Sequence, residues 1–211
     1  MLRIPPRSPG RPKDQEKRAS ILATANTLFI DRGYEGVTME AVAAAAGVSK
    51  MTVYGHFHDK AALFGAVVRF VSDQMVAELT GLDQTGEKPD LETSLVAFGN
   101  ALLGLILSPQ IVMMSHMLMG MLIKDHRFAE AFYEAGPGRT RAALATFLTE
   151  VAAQEGLEFD SPQAAADDLI SLWQGDMPKQ VALGLIPPVT PSDIERRVRR
   201  GTTVFLRAYR G

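Results

Sequence analysis

A chain of 211 residues is long enough for one or two domains with a well-buried core, and 46% hydrophobic against 22% charged residues describes a soluble globular protein. The absence of cysteine excludes disulfides, thiol catalysis and cysteinyl metal sites, in agreement with a reducing cytoplasm. Net charge is −2, but residues 1–60 hold nine Lys/Arg against six Asp/Glu and the rest 13 against 18, so a basic head sits on an acidic body and offers one end to a polyanion.

The first eighteen residues, MLRIPPRSPGRPKDQEKR, carry six basic and two acidic side chains. Their prolines and lack of apolar periodicity make residues 1–13 a disordered basic arm, without the hydrophobic run of a signal peptide. Two readings of Arg7, Arg11 and Lys13 stand: insertion into a minor groove, or nonspecific attraction alone. A helix from about Asp14 to Arg32 follows, with Ile21, Leu22, Ala25, Leu28 and Phe29 as its apolar stripe, and Gly33 ends it.

Thr38 to Lys60, TMEAVAAAAGVSKMTVYGHFHDK, reads as a helix-turn-helix. Thr38 caps a first helix to about Ala45, whose Met39, Val42, Ala43 and Ala46 share one face. Gly47 supplies a turn residue tolerant of positive φ. Ser49 caps a second helix, whose Val53 and Phe57 face inward and leave Lys50, Met51, Thr52, Tyr54, Gly55 and His56 outward. Basic, hydroxyl and aromatic groups on a free helix face suit a major groove. Lys50 reaches guanine O6/N7 or a phosphate, and Met51 meets a thymine methyl. Thr52 and Tyr54 fix register on phosphates. Thr38, Ser49 and Lys60, at helix starts, complete the DNA-facing set.

Asp59 caps the next helix, from near Lys60 to about Leu82, and residues 83–89, DQTGEKP, form a loop. No charged residue occurs between Glu92 and Lys124, a run long enough to span a bilayer. Ser108-Pro109 divides it into pieces at about Leu91–Leu107 and Gln110–Ile123, each too short to span, which read as two buried helices of a bundle. Shorter elements at Arg127–Ala135 and Arg139–Gln154 follow. Ser161 and Pro162 open a helix running to about Leu185 and kinked at Pro178. Ser192 and Glu195 form a capping box on the last helix, whose Ile194, Val198, Phe205 and Tyr209 make a stripe. Strand-like alternation is missing, so the fold class is all-α with about nine or ten helices. The helix-turn-helix unit spans 14–60 and a helical bundle spans 61–211.

Asp14 to Phe64, above all VSKMTVYGHFHDK, resembles the TetR family of one-component bacterial regulators. The resemblance implies an all-helical homodimer, with a three-helix DNA-binding domain over 14–60, a ligand-binding and dimerisation domain over 61–211, and repression relieved by a small molecule. It implies DNA contacts at Lys50, Met51, Thr52, Tyr54, His56 and Lys60. Gly55 departs from the pattern, since many relatives carry a large side chain there. The run FAEAFYEAGPGRTRAALATFL, Phe128 to Leu148, is similar to the C-terminal domain of an AefR-like subgroup.

Five methionines, Met113, Met114, Met117, Met119 and Met121, crowd into nine residues beside His116. With Phe98, Leu102, Phe132 and Trp173 they make either a pocket for a hydrophobic or aromatic effector or plain core packing. His116 is the pocket's polar handle or a satisfied core histidine. Nucleophile elbow, P-loop, dinucleotide fingerprint and metal-ligand spacing are all missing from the sequence, so neither catalysis nor a cofactor is expected. The helices opening at Pro162 and Ser192 are expected to form the dimer bundle through Ala166, Ile170, Val198, Thr202 and Phe205. The cluster Arg196 to Arg200 is a solvated face or a source of salt bridges across the dimer. The function expected is a cytoplasmic repressor of palindromic double-stranded DNA, released by a small hydrophobic effector. The alternatives are a DNA-binding regulator with a filled core and no small-molecule ligand, or a helical interaction protein that binds no DNA.

Overall fold

The computed structural model describes residues 11–80 and 89–210, without the side chains of residues 11–13, 78, 80 and 117. Residues 1–10 of the expected arm and residues 83–88 of the expected loop therefore lie outside the described residues. Those described form eleven α-helices and no strand: α1 (Arg11–Arg32), α2 (Met39–Ala45), α3 (Lys50–His56), α4 (Lys60–Thr80), α5 (Leu91–Ile106), α6 (Pro109–Leu122), α7 (His126–Ala135), α8 (Pro137–Glu155), α9 (Pro162–Gln174), α10 (Met177–Ala182) and α11 (Pro191–Tyr209). The first helix thus starts at Arg11, inside the expected arm. Pro12 is tolerated there because the first turn has no intrahelical use for its missing N–H.

The chain divides into two compact units, Met1–Val67 and Val68–Gly211. In the first, Ile21, Leu22, Ala25 and Phe29 of α1 are buried with Val42, Val53, Leu63 and Phe64. Phe29, Tyr34 and Phe64 meet with ring centroids 5.1 to 5.9 Å apart. In the second, α5 packs against α11 and α9, and α8 packs against α9. Trp173 lies at the centre of that core, fully buried, and its indole N–H donates to Thr202 Oγ1 at 3.0 Å. Gly99 and Gly201 let two helices close on the indole. A Cβ on Gly99 would stand 3.0 Å from Trp173 Cε2, and one on Gly201 2.8 Å from Trp173 Cδ1.

Four expectations are corrected. The helix from Pro162 does not run to Leu185 with a kink at Pro178. It stops at Gly175, φ +49°, and α10 begins at Met177, with Pro178 in the first turn where proline is at ease. The capping box uses Thr190 and Asp193 rather than Ser192 and Glu195: Pro191 occupies the first helical position, which starts the helix earlier than expected. Of the two helices that share the uncharged run, α5 is largely buried, whereas α6 turns much of its surface outward, with Met113 64% and Met119 53% exposed. The two are bent by 55° at the Leu107-Ser108 break, so α6 leaves the face that buries α5. No single described helix is long and apolar enough to cross a membrane, though that bent pair together matches one in length and composition.

The fourth correction concerns the expected dimer residues. Ala166, Ile170, Val198, Thr202 and Phe205 are all buried within the single chain, where they form the core around Trp173. The outward side of α9 and α11 instead presents Ser171, Leu172, Arg200, Val204 and Ala208 along an open groove of about 600 Å³. Periodicity identified the stripes, but each helix has one apolar side and the protomer's own core claims it first. The arginine cluster is engaged locally: Arg196 pairs with Asp193, Arg199 with Glu195 at 2.9 Å, and Arg197 Nε donates to the Trp173 carbonyl at 3.0 Å.

Candidate nucleic-acid interface

The helix pair α2–α3 is built from local signals that agree. Thr38, extended at φ −118° and ψ 155°, accepts the Ala41 N–H on its hydroxyl at 3.1 Å and so starts α2. At the other end Gly47 adopts φ +65°. The Val48 N–H reaches the Ala43 carbonyl at 3.0 Å and the Gly47 N–H that of Ala44 at 3.3 Å, the paired bonds of a Schellman turn. A residue with a Cβ would be strained there, so this glycine fixes where the chain reverses. Ser49 then accepts the Thr52 N–H at 3.1 Å and opens α3. Val53 and Phe57, 0% and 3% exposed, anchor α3 to the core, and the Arg18 guanidinium lies 5.3 Å from the Phe57 ring centre.

The side of α3 opposite those anchors is open. Met51 is 81% exposed, Tyr54 and Lys50 are exposed, and nothing lies within 4 Å of where a Cβ on Gly55 would stand. These are the groups that can reach base edges or phosphates. Other members of the expected DNA-facing set are partly committed elsewhere. The Ser49 and Thr52 hydroxyls lie 2.9 Å apart and bond to each other. His56, its side chain 15% exposed, points Nε2 at Asp14, 3.4 Å away. Lys60 Nζ donates to the Tyr34 carbonyl at 3.1 Å, sits 4.4 Å from the Tyr34 ring centre and lies 3.6 Å from Glu35. Burial, followed by the nearby Glu35 and Asp59 charges, raises the pKa of that tyrosine.

Sequence reasoning missed Glu40. Its carboxylate, on α2, pairs with Lys50 Nζ on α3, and the same ammonium lies 5.5 Å from the Tyr54 ring centre. The hydrogen bond from Lys50 lowers the Glu40 pKa, helped by its own backbone and by Thr38, and the same bond raises that of Lys50. Helical periodicity could not reveal this pair, because it spans two helices whose crossing is set by the turn.

The expected effector residues separate into two groups. Phe98, Leu102 and Trp173 come together in one close-packed cluster, with Phe98 and Trp173 ring centres 6.0 Å apart. Met113 and His116 face outward, Met121 and Phe132 are half-buried, and the Met117 side chain lies outside the described residues.

A capped helix pair with an anchored inner face and an open polar outer face, in an all-helical chain, defines a helix-turn-helix protein. Residues 21–67 match the bacterial regulatory proteins of the tetR family, and residues 93–211 match the AefR-like transcriptional repressor C-terminal domain. The chain belongs to the TetR family, whose members are DNA-binding transcriptional regulators and not enzymes. It is similar to the HTH-type transcriptional activator FasR of Mycolicibacterium smegmatis, 41% identical over 66 residues, covering 31% of this chain and 30% of that protein. It is likewise similar to the HTH-type transcriptional repressor BepR of Brucella suis, 32% identical over 85 residues, covering 39% and 41%. The chain therefore matches less than half the length of these curated relatives. Solved structures match over nearly the whole chain. A TetR-family regulator from Mesorhizobium loti has a TM-score of 0.73 at 25% identity, covering 94% of this chain and 99% of that one. The flavonoid-responsive regulator FrrA has 0.65 at 31% identity, covering 93% and 98%.

Proposed function

We propose that this protein is a cytoplasmic homodimeric repressor that reads a palindromic operator through α3 and leaves it when a small hydrophobic or aromatic effector binds the C-terminal unit. The observation that carries the DNA reading is the division of α3, with Val53 and Phe57 anchored while Lys50, Met51 and Tyr54 project. The remaining expected contacts, Thr38, Ser49, Thr52, His56 and Lys60, act mainly by holding register on phosphates and by keeping α3 in place. One such module makes few contacts, so a twofold pair reading half-sites roughly 34–36 Å apart supplies the affinity. The open side of α9 and α11 supports that pairing. A coupling of about 1–3 kcal/mol between effector and DNA is enough to switch a gene.

Two relatives bear on the sign and the ligand. The names of BepR and FasR give one repressor and one activator, and the name of FrrA describes a flavonoid-responsive protein. The AefR-like repressor match over 93–211 favours repression here. One observation favours a second reading, a regulator without a small-molecule ligand: Phe98, Leu102 and Trp173 fill their space completely enough that Gly99 and Gly201 have no room for a methyl group. The effector reading accordingly rests on the half-buried Met121 and Phe132 and the exposed Met113 and His116.

The test is fluorescence anisotropy against duplex selected from a random library, across a salt series. Wild type is expected to bind steeply with salt, and Lys50→Ala with Tyr54→Ala to abolish that binding. Equal binding by the double variant would sink the assignment of α3. Titrating the complex with planar aromatic and long-chain compounds then separates the two readings, since only the first predicts release.

A further inference from the structure

Glu40 is out of place on a surface that meets a polyanion. Its side chain is about half exposed, near the amino end of α2, and it stands among groups of the DNA-facing set: its neighbour Thr38, which hydrogen-bonds to it, and Lys50 on the other helix. A carboxylate there repels phosphate. The ammonium it holds is fixed from two sides, by the carboxylate and by the Tyr54 ring face 5.5 Å away. The Schellman turn at Gly47 and the Ser49 cap fix the geometry that lets α2 and α3 share this pair.

We propose that Glu40 is a specificity-determining residue, which withholds the Lys50 charge from backbone phosphates and yields it only to a base pair whose paired acceptors compete with a carboxylate. This rests on the reading of α3 as the DNA-reading helix. Nonspecific binding is nearly all phosphate neutralisation, and each phosphate neutralised releases counterions and steepens the salt dependence. A lysine already paired adds nothing to that term. Guanine O6 and N7 offer two acceptors in the groove, and a lysine carried there keeps its distance from phosphate. Glu40 thus lowers affinity for the wrong DNA more than for the right DNA, discrimination by repulsion as well as attraction.

Wild type, Glu40→Gln, Lys50→Ala and the double variant would be titrated with a library-selected duplex and with a scrambled duplex, across salt. Glu40→Gln is expected to tighten scrambled-duplex binding about five- to tenfold more than selected-duplex binding, and to steepen the salt slope by about one. In the Lys50→Ala background the same change is expected to leave the ratio of the two affinities alone. Equal weakening on both duplexes would overturn the proposal by making Glu40 a purely structural residue. An unchanged ratio, or the same shift without Lys50, would overturn it by reducing Glu40 to a bulk charge. A Lys50→Ala variant that binds both duplexes as wild type does would overturn the reading of α3 itself. The pair can be judged without DNA, by NMR titration of the Glu40 carboxyl, which is expected below its ordinary range in wild type and higher in Lys50→Ala, with the smaller lowering by its backbone and Thr38 left in place. Identical titrations in the two would remove the pair on which the proposal stands.

Discussion

Gly55 is the least demanding position of α3 and the most permissive. It is exposed, in a right-handed helix, with open space where a side chain would go. Gly55→Ala is therefore expected to raise stability by about 0.5–1 kcal/mol, read as a shift in the urea midpoint with an unchanged slope. Gly201 is the reverse case. A methyl group there meets Trp173 Cδ1 at 2.8 Å and the Leu172 backbone at 3.1 Å, and backbone cannot swing away. Gly201→Ala is expected to cost about 1–3 kcal/mol by the same measurement, although alanine is the better helix former. The two glycines look alike in the sequence and differ only in what stands opposite them.

At the level of helices, ends are set by a few side chains. Thr190 and Asp193 form a reciprocal capping box, in which the Thr190 hydroxyl accepts the Asp193 N–H at 3.2 Å and the Asp193 carboxylate accepts the Thr190 N–H at 3.3 Å. Thr190→Ala is expected to cost about 1 kcal/mol, and Ser192→Ala almost nothing, in parallel thermal melts. Between helices, the Tyr209 hydroxyl donates to Asp168 at 2.6 Å, tying α11 to α9, and that bond pushes the Tyr209 pKa up to about 12. A raised pKa means the bond stabilises the fold fully below the ordinary tyrosine range, about 10, and is lost as pH climbs through the folded value. Ultraviolet titration should show a late tyrosine that Asp168→Asn returns toward about 10. Tyr34, raised by burial, stays late in either case, so a late amplitude that Asp168→Asn leaves undiminished would assign the Tyr209 shift elsewhere.

These helix ends also show what the sequence made legible. The α2–turn–α3 unit was readable because cap, anchor and turn residues act within a few positions of one another. Thr38, Gly47, Ser49, Val53 and Phe57 all do what their spacing predicts. The break at Gly175 was not readable. A glycine followed by Pro178 permits either a kink or a restart, and Arg197 decides by closing over the gap, its guanidinium standing where a Cβ on Gly175 would be. Nor was the outward face of α6, because an element apolar on every side carries no mark of which side is covered. The Glu40–Lys50 pair was invisible for a related reason: it joins faces of two helices.

Across the whole chain, charge and apolar surface are unevenly placed. The basic excess lies in residues 1–60 and the acidic excess beyond them, a pattern that steers one end of a molecule to DNA. Dimerisation through the open side of α9 and α11 predicts a sedimenting species of twice 22.9 kDa. Val204 is 44% exposed on that side. Val204→Glu is expected to yield monomers and to weaken operator binding at least about tenfold, since each lone module keeps only its own contacts. A dimer that persists in this variant would move the interface elsewhere, with the uncovered methionines of α6 next in line.

The packing around Trp173 has a practical consequence. It is the single tryptophan of the chain, fully out of water, touching α5 through Gly99 and α11 through Gly201 and Thr202. Every photon of indole emission therefore reports from one known point, the seam of three helices in the C-terminal unit. A blue emission maximum that shifts red or dims when a compound is added would register loosening of that seam, with no label and no DNA present. The molecule carries its own gauge.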